Sequence, residues 1–177
     1  DIYRAYEDAC KRAGLVDFAE LLLRAHEVFL RDDKLLAHYR EIGKQADAAL
    51  PPLFAELPRA PWGVRAMPEH FDADHAEYYE SPSDDTTRAG TFFANAAAWR
   101  HKRRWEAATL VAHEAVPGHH LQNARALELK GLPAFRRHGW HTAYGEGWAL
   151  YAETLGVDMG LYRDPYSRFG HLQWQAF

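Results

Sequence analysis

A proline and a glycine set inside a histidine-bearing, otherwise helical segment constrain this chain more than any other feature. The segment reads Val111-Ala112-His113-Glu114-Ala115-Val116-Pro117-Gly118-His119-His120-Leu121-Gln122. A His-Glu pair on a helix, with a second His one turn later, is an arrangement that holds zinc. The imidazoles bind the ion, and the glutamate beside the first one takes a proton from the activated water. Here the position four residues after His113 is Pro117, and the next histidines come six and seven residues after it. On an unbroken helix His119 points to the wrong face, and His120 faces correctly but sits about 10 Å along the axis. Zinc needs each nitrogen within about 2.1 Å. Pro117 removes the N–H that would bond the His113 carbonyl and crowds that turn, while Gly118 permits unusual backbone angles. A kink or bulge is expected there, and the metal reading requires it. The competing reading makes His113 and His119 partly buried histidines of an amphipathic helix. It leaves unexplained why a His-Glu pair and a mid-helix Pro-Gly should be kept at a cost in stability.

A two-histidine zinc site needs a third ligand, and one large class takes it from a glutamate on a following helix. The stretch Tyr144-Gly145-Glu146-Gly147-Trp148-Ala149-Leu150-Tyr151-Ala152-Glu153 offers Glu146, 27 residues after His119, far enough for the chain to turn and pack back. Gly145 and Gly147 flank it and would allow close approach to the first helix. Glu153, two turns on along the same face, is the candidate to hydrogen-bond a ligand histidine. His120 is the alternative ligand to His119 and otherwise a supporting residue beside the site. On the bland reading Glu146 is a surface residue. A glutamate among Trp148, Leu150 and Tyr151 is more often buried, and a buried carboxylate wants a cation.

Composition is compatible with this. The chain has 177 residues, 47% of them hydrophobic, and 11 histidines, several between His101 and His141. A net charge of −4 gives no reason to expect nucleic acid or an anionic membrane as partner. One cysteine, Cys10, excludes an internal disulfide and a Cys-rich metal cluster. With no signal pattern at Asp1-Ile2-Tyr3-Arg4 and no membrane-length apolar run, the chain reads as cytoplasmic.

Hydrophobic spacing predicts a helical arm over residues 1–49, broken near Gly14 with Asp17 at the second start. The Pro-rich stretch 50–63 places a boundary there, with the catalytic part at 50–177. Short strands are expected at Val64–Pro68, Glu77–Glu80 and Thr91–Asn95. Helices are expected over 102–130, interrupted at Pro117-Gly118, and from about Thr142 to Leu155. A last segment starts at Asp164-Pro165 and remains apolar to Phe177, which suggests self-association. The fold class is α+β, mostly helical, with a small sheet.

At its two motif strings the sequence resembles a large bacterial family of zincin-like proteins known only as a domain of unknown function, with His-Glu-x-x-Pro-Gly-His and Glu-Gly-Trp-Ala-x-Tyr signatures. The second string also looks like the Asn-Glu-Gly-Phe-Ala segment of M1-type aminopeptidases, whose glutamate binds zinc. The resemblance runs from about Tyr39 to Phe177 and includes Pro61-Trp62-Gly63-Val64-Arg65, Gly90-Thr91-Phe92-Phe93-Ala94-Asn95 and Asp164-Pro165-Tyr166-Ser167-Arg168-Phe169-Gly170. It implies a gluzincin-like metallopeptidase core binding Zn²⁺ through His113, His119 and Glu146, with Glu114 as general base and a peptide as substrate. It favours His119 over His120. It also implies that Gly90–Asn95 is an edge strand able to pair with a substrate backbone, with Asn95 a contact. Tyr144, His141 and Tyr151 are candidates to stabilise the oxyanion, Tyr144 foremost as a substrate-binding residue. Members of that family are several times longer and continue past this segment, so the chain reads as a partial catalytic domain.

Residues 1–41 look different. Ala5-Tyr6-Glu7-Asp8-Ala9-Cys10 and Gly14-Leu15-Val16-Asp17-Phe18-Ala19-Glu20-Leu21-Leu22 resemble a helical segment of Rep/UvrD-type DNA helicases, so the chain reads as a join near His38–Glu41. No Gly-Lys-Thr phosphate loop accompanies it, so helicase activity is not implied. The run His101-Lys102-Arg103-Arg104 reads as a solvated helix face. A zinc peptidase is thus the leading expectation, ahead of an inactive helical or metal-binding domain, with a DNA-binding module a distant third.

Overall fold

A computed structural model of the chain describes residues 18–176 apart from 69, 73, 86 and 99–102, with side chains from Lys34 onward. The expected break at Gly14, the helix start at Asp17, most of the helicase-like strings, and His101 and Lys102 of the basic run lie outside the described residues. The described elements are α1 (Phe18–Ala49), β1 (Trp62–Ala66), β2 (Tyr78–Glu80), β3 (Gly90–Ala94), α2 (Ala107–Glu114), α3 (His119–Glu128), α4 (Ala134–His138), α5 (Thr142–Leu155) and α6 (Pro165–Gln175), with single 3₁₀ turns at Ala96–Ala98 and Arg104–Glu106. The class is α+β, mostly helical, with one three-stranded sheet.

The chain divides into two units between Lys34 and Leu35, not at the Pro-rich stretch after residue 49. Of the first unit, the described part is helical, residues 18–34. The second contains the core and the motif. Leu36, Tyr39, Ala46 and Leu50 of its opening segment recur at helical spacing and are buried. Tyr39 packs edge-on against Phe92 of β3, with ring centroids 5.4 Å apart. Trp62 at the start of β1 donates its indole N–H to Asp47 at 3.1 Å. This is why the boundary moves: residues 35–50 carry one wall of the core.

The sheet order is β1-β3-β2, with β1 parallel and β2 antiparallel to β3. The Gly90–Asn95 stretch is therefore not an edge strand. β3 is paired on both sides, and four of its five residues are buried, the near-continuous apolar run of an interior strand. The edge beside the motif helices is β2.

α2 is the central element. Every residue from Ala107 to Ala112 is buried, and the helix packs against both α5 and α6. A helix apolar on all sides belongs in an interior. α6 begins as its sequence dictates: the Asp164 carboxylate accepts from the backbone N–H of Tyr166 and Ser167, and Pro165 occupies the first turn, where its missing N–H costs nothing. Tyr166, Phe169 and Leu172 of this helix are exposed. No described helix is long and apolar enough to cross a membrane.

Candidate metal centre

The motif helix breaks where Pro117 and Gly118 require it. α2 ends at Glu114, residues 115–118 form turns with a cis Val116–Pro117 bond, and α3 begins at His119. The turn is held at several points. The Ala115 N–H still reaches the Val111 carbonyl at 3.0 Å, the His120 N–H reaches Ala115 at 3.0 Å, and the Trp148 indole of α5 donates to the Pro117 carbonyl at 2.9 Å. Gly118 passes so near α2 that a Cβ there would lie 1.7 Å from the His113 carbonyl oxygen. The extra residues between the two histidines are absorbed in this break, and His119 swings back toward His113. Their rings stand nearly perpendicular, 88°, with centroids 4.9 Å apart.

Glu146 projects from α5 onto the same point. His113 Nε2 lies 3.3 Å and His119 Nε2 3.7 Å from Glu146 Oε2. Ligand atoms of His113, His119 and Glu146 all fall within 4.8 Å of one another. These separations bear on two readings. A charged His–carboxylate hydrogen bond is normally about 2.7–2.9 Å. The edge of a tetrahedron around a zinc ion with ligands at about 2.1 Å is about 3.4 Å. Both separations are longer than such a hydrogen bond and near the second value, so the three side chains are compatible with a shared metal ion.

Glu153 supports this geometry. It is fully buried, and its Oε1 lies 2.8 Å from His113 Nδ1. A proton on Nδ1 shared with Glu153 leaves the Nε2 lone pair facing the centre. Burial disfavours charge on His113, but the hydrogen bond to Glu153 and the carboxylates of Glu114, Glu153 and Glu146 outweigh it, and its pKa is raised. For His119, burial and the neighbouring His113 charge lower it. Glu114, the last residue of α2, is 7% exposed and lines the same cleft.

The cleft, about 350 Å³, is lined by Glu77, Tyr78, Tyr79, His113, Glu114, His119, Asn123, Trp140 and Glu146. Trp140 packs against His119, with centroids 5.5 Å apart, and lies over Gly145, where a Cβ would come within 2.2 Å of its ring. The tight approach expected of the two glycines beside Glu146 is thus to Trp140 and not to the first helix, and Gly147 faces open space.

Other expected residues fall elsewhere. Asn95 is 1% exposed; its amide donates to the carbonyls of Asp72 and His75, and its oxygen accepts from the Ala98 N–H, so it ties the loop before β2 to the end of β3. Tyr144 lines a separate, more apolar pocket with Leu121, Leu129, Phe135 and Trp148. His141 borders that pocket too, and Tyr151 is exposed and outside the cleft lining. Tyr78, Tyr79, Asn123 and Trp140 went unnoticed in the sequence. Only the aromatic pair at the predicted Glu77–Glu80 strand hinted at two of them.

His120 turns away from the three converging side chains. It is 1% exposed, and its Nδ1 lies 2.7 Å from the Tyr79 hydroxyl. Burial holds its pKa down to about 4, so it is neutral at pH 7, accepts from Tyr79 and braces a wall of the cleft. Between pH 6.5 and about 4 the unfolded chain binds a proton here that the folded chain refuses. Stability is therefore complete above that window and falls as pH drops through it, by up to about 3 kcal/mol. Urea unfolding with chelator present should show a shallower loss between pH 7 and pH 4.5 in His120→Gln than in the parent. Equal slopes would assign the acid sensitivity elsewhere.

A family model described as "Bacterial protein of unknown function (DUF885)" matches residues 2–177. The chain belongs to the DUF885 family. The resemblance of part of the chain to a DNA helicase segment is found as well. A 40-residue stretch, 23% of the chain, is also 68% identical to DNA helicase II of Escherichia coli and of Salmonella typhimurium. The stretch is 6% of those helicases' length. Among solved structures, the crystal structure of the "putative lipoprotein" from Colwellia psychrerythraea is similar over 81% of the chain, with 32% identity and a TM-score of 0.72. The chain spans 25% of that protein.

Proposed function

We propose that this DUF885 segment is the zinc-binding core of a metal-dependent peptidase. The observation that carries the reading is the convergence of ligand atoms of His113, His119 and Glu146 within 4.8 Å of one another beside an enclosed glutamate. Two imidazoles and one carboxylate, with a cleft on the open side, form a donor set typical of catalytic zinc, and the arrangement is gluzincin-like. When bound, zinc polarises the scissile carbonyl and acidifies the attacking water.

The chain's own residues then have distinct tasks. Glu114 accepts a proton from the attacking water and returns it to the leaving amine. Glu153 holds the His113 ring in the tautomer that presents Nε2. The exposed edge of β2, beside the cleft, takes over the peptide-pairing role first expected of β3. Tyr78 and Trp140 add aromatic surface to the cleft lining. The similar Colwellia psychrerythraea protein is described as a "putative lipoprotein", which favours an exported setting for this fold over a cytoplasmic one, and a single cysteine is compatible with either.

The test begins with metal content by mass spectrometry after exhaustive dialysis. One zinc per chain is expected in the parent, with His113→Ala and Glu146→Ala retaining well under half of that at equal folded content. A parent without zinc, or variants that keep it, would remove the basis for the enzyme reading. Zinc without cleavage of any peptide library would point to the alternative, an inactive metal-binding domain.

A further inference from the structure

We propose that Gln122 is a positioning residue that joins the second imidazole and the third ligand's helix: its amide oxygen takes the Nδ1 proton of His119 while its amide nitrogen holds the Tyr144 carbonyl. The inference rests on the metal-centre reading above and adds to it a residue with no metal contact of its own.

Four observations lead there. Gln122 follows His119 by three residues on α3, so both side chains leave the same face. It is 6% exposed, unusual for a glutamine, which is ordinarily a surface residue. Its Nε2 donates to the Tyr144 carbonyl at 3.1 Å, which fixes which end of the amide points toward α5. Its Oε1 and His119 Nδ1 are both enclosed, and neither has a hydrogen-bond partner. A buried donor and a buried acceptor left unmade are each costly. Gln122 Oε1 can only accept, and His119 Nδ1 donates when it carries the ring proton; the two residues are a turn apart on one helix, so a side-chain rotation would pair them.

Two consequences for the centre follow. A proton held at Nδ1 of His119 leaves the Nε2 lone pair aimed at the cleft, as Glu153 does for His113. Tyr144 lies in the first turn of α5, two residues before Glu146, so the same amide fixes where that helix begins relative to α3. An amide also supplies this support without adding another negative charge to a site that already holds Glu114, Glu146 and Glu153.

Gln122→Met and Gln122→Glu separate the two contacts. Methionine removes both, whereas glutamate keeps an acceptor for His119 and loses the donor to Tyr144. In metal-free protein, imidazole nitrogen–proton correlation spectra should show His119 protonated at Nδ1 in the parent and in Gln122→Glu, and shifted toward Nε2 in Gln122→Met. Zinc affinity, read by competition with a chromophoric chelator, should fall about 10-fold or more in Gln122→Met and by less in Gln122→Glu. Far-UV circular dichroism and the unfolding midpoint confirm that each variant folds. An unchanged His119 tautomer and zinc affinity within about twofold in a folded Gln122→Met would overturn the proposal. If the parent binds no zinc, the peptidase reading fails, while the metal-free spectra still decide the role of Gln122.

Discussion

Replacing Glu114 with glutamine should leave zinc in place and lower peptide cleavage by about 10²- to 10⁴-fold, the range associated with losing a positioned general base. Glu114 closes α2 next to His113, is almost fully enclosed, and borders the cleft shared by the three converging side chains. Glutamine matches its size and keeps one oxygen, so the neighbours need not move, but an amide does not accept a proton near neutral pH. The measurement is kcat for a cleaved peptide, paired with metal content of the same sample. Full activity in a zinc-loaded variant would transfer the base role to another acid. Glu77 also lines the cleft, but its Oε1 already accepts from the Tyr39 hydroxyl and the Asn95 N–H, which makes it a brace for β2 and β3.

A single methyl group at Gly118 should be nearly as damaging by another route. The added carbon would sit 1.7 Å from the His113 carbonyl oxygen and 2.5 Å from that of Ala112. Both are backbone atoms of α2 and cannot swing aside as a flexible side chain would. Relief requires the turn to move away from α2, carrying His119 with it. Gly118→Ala should therefore lose about 4 kcal/mol or more of stability, the range reserved for severe backbone or core defects, or fold with the two histidines parted. Urea denaturation reports the first outcome, and zinc titration the second. A variant with native stability and native affinity would show that the close approach is not a property of the folded protein.

Much of the centre was legible because its chemistry is local. The need for a break at Pro117-Gly118 followed from helical rise and a missing N–H, and α5 spans Thr142–Leu155 as its flanking residues imply. The short strands lie within two residues of their expected places. What failed was information that only packing supplies. A strand's neighbours cannot be read from its own residues, so β3 passed for an edge although the run Phe92-Phe93-Ala94 suits an interior strand equally well. The period that buries Leu36, Tyr39 and Ala46 continues the helical pattern before it, and nothing local marks Lys34–Leu35 as a division. Asn95 and Tyr144 carried polar groups near the right elements, but one is spent on two loop carbonyls and the other faces a different pocket. Trp140 lies where a side chain at position 145 would collide with it, so it reaches the cleft because that residue is glycine.

The buried bond between His113 and Glu153 makes acid and metal rivals. With both imidazoles neutral, Glu114, Glu146 and Glu153 leave an excess of anionic charge around one small space. Either a hydrogen ion on His113 or a divalent cation can offset it. On the proposed zinc reading, the raised pKa of His113 strengthens the hydrogen ion's hold, so metal occupancy should fall on acidification at a higher pH than an ordinary histidine would dictate. A cation taken up while His113 is protonated would have to displace that hydrogen ion. On that same zinc reading, the acidity of the surroundings would set how much of the protein is loaded.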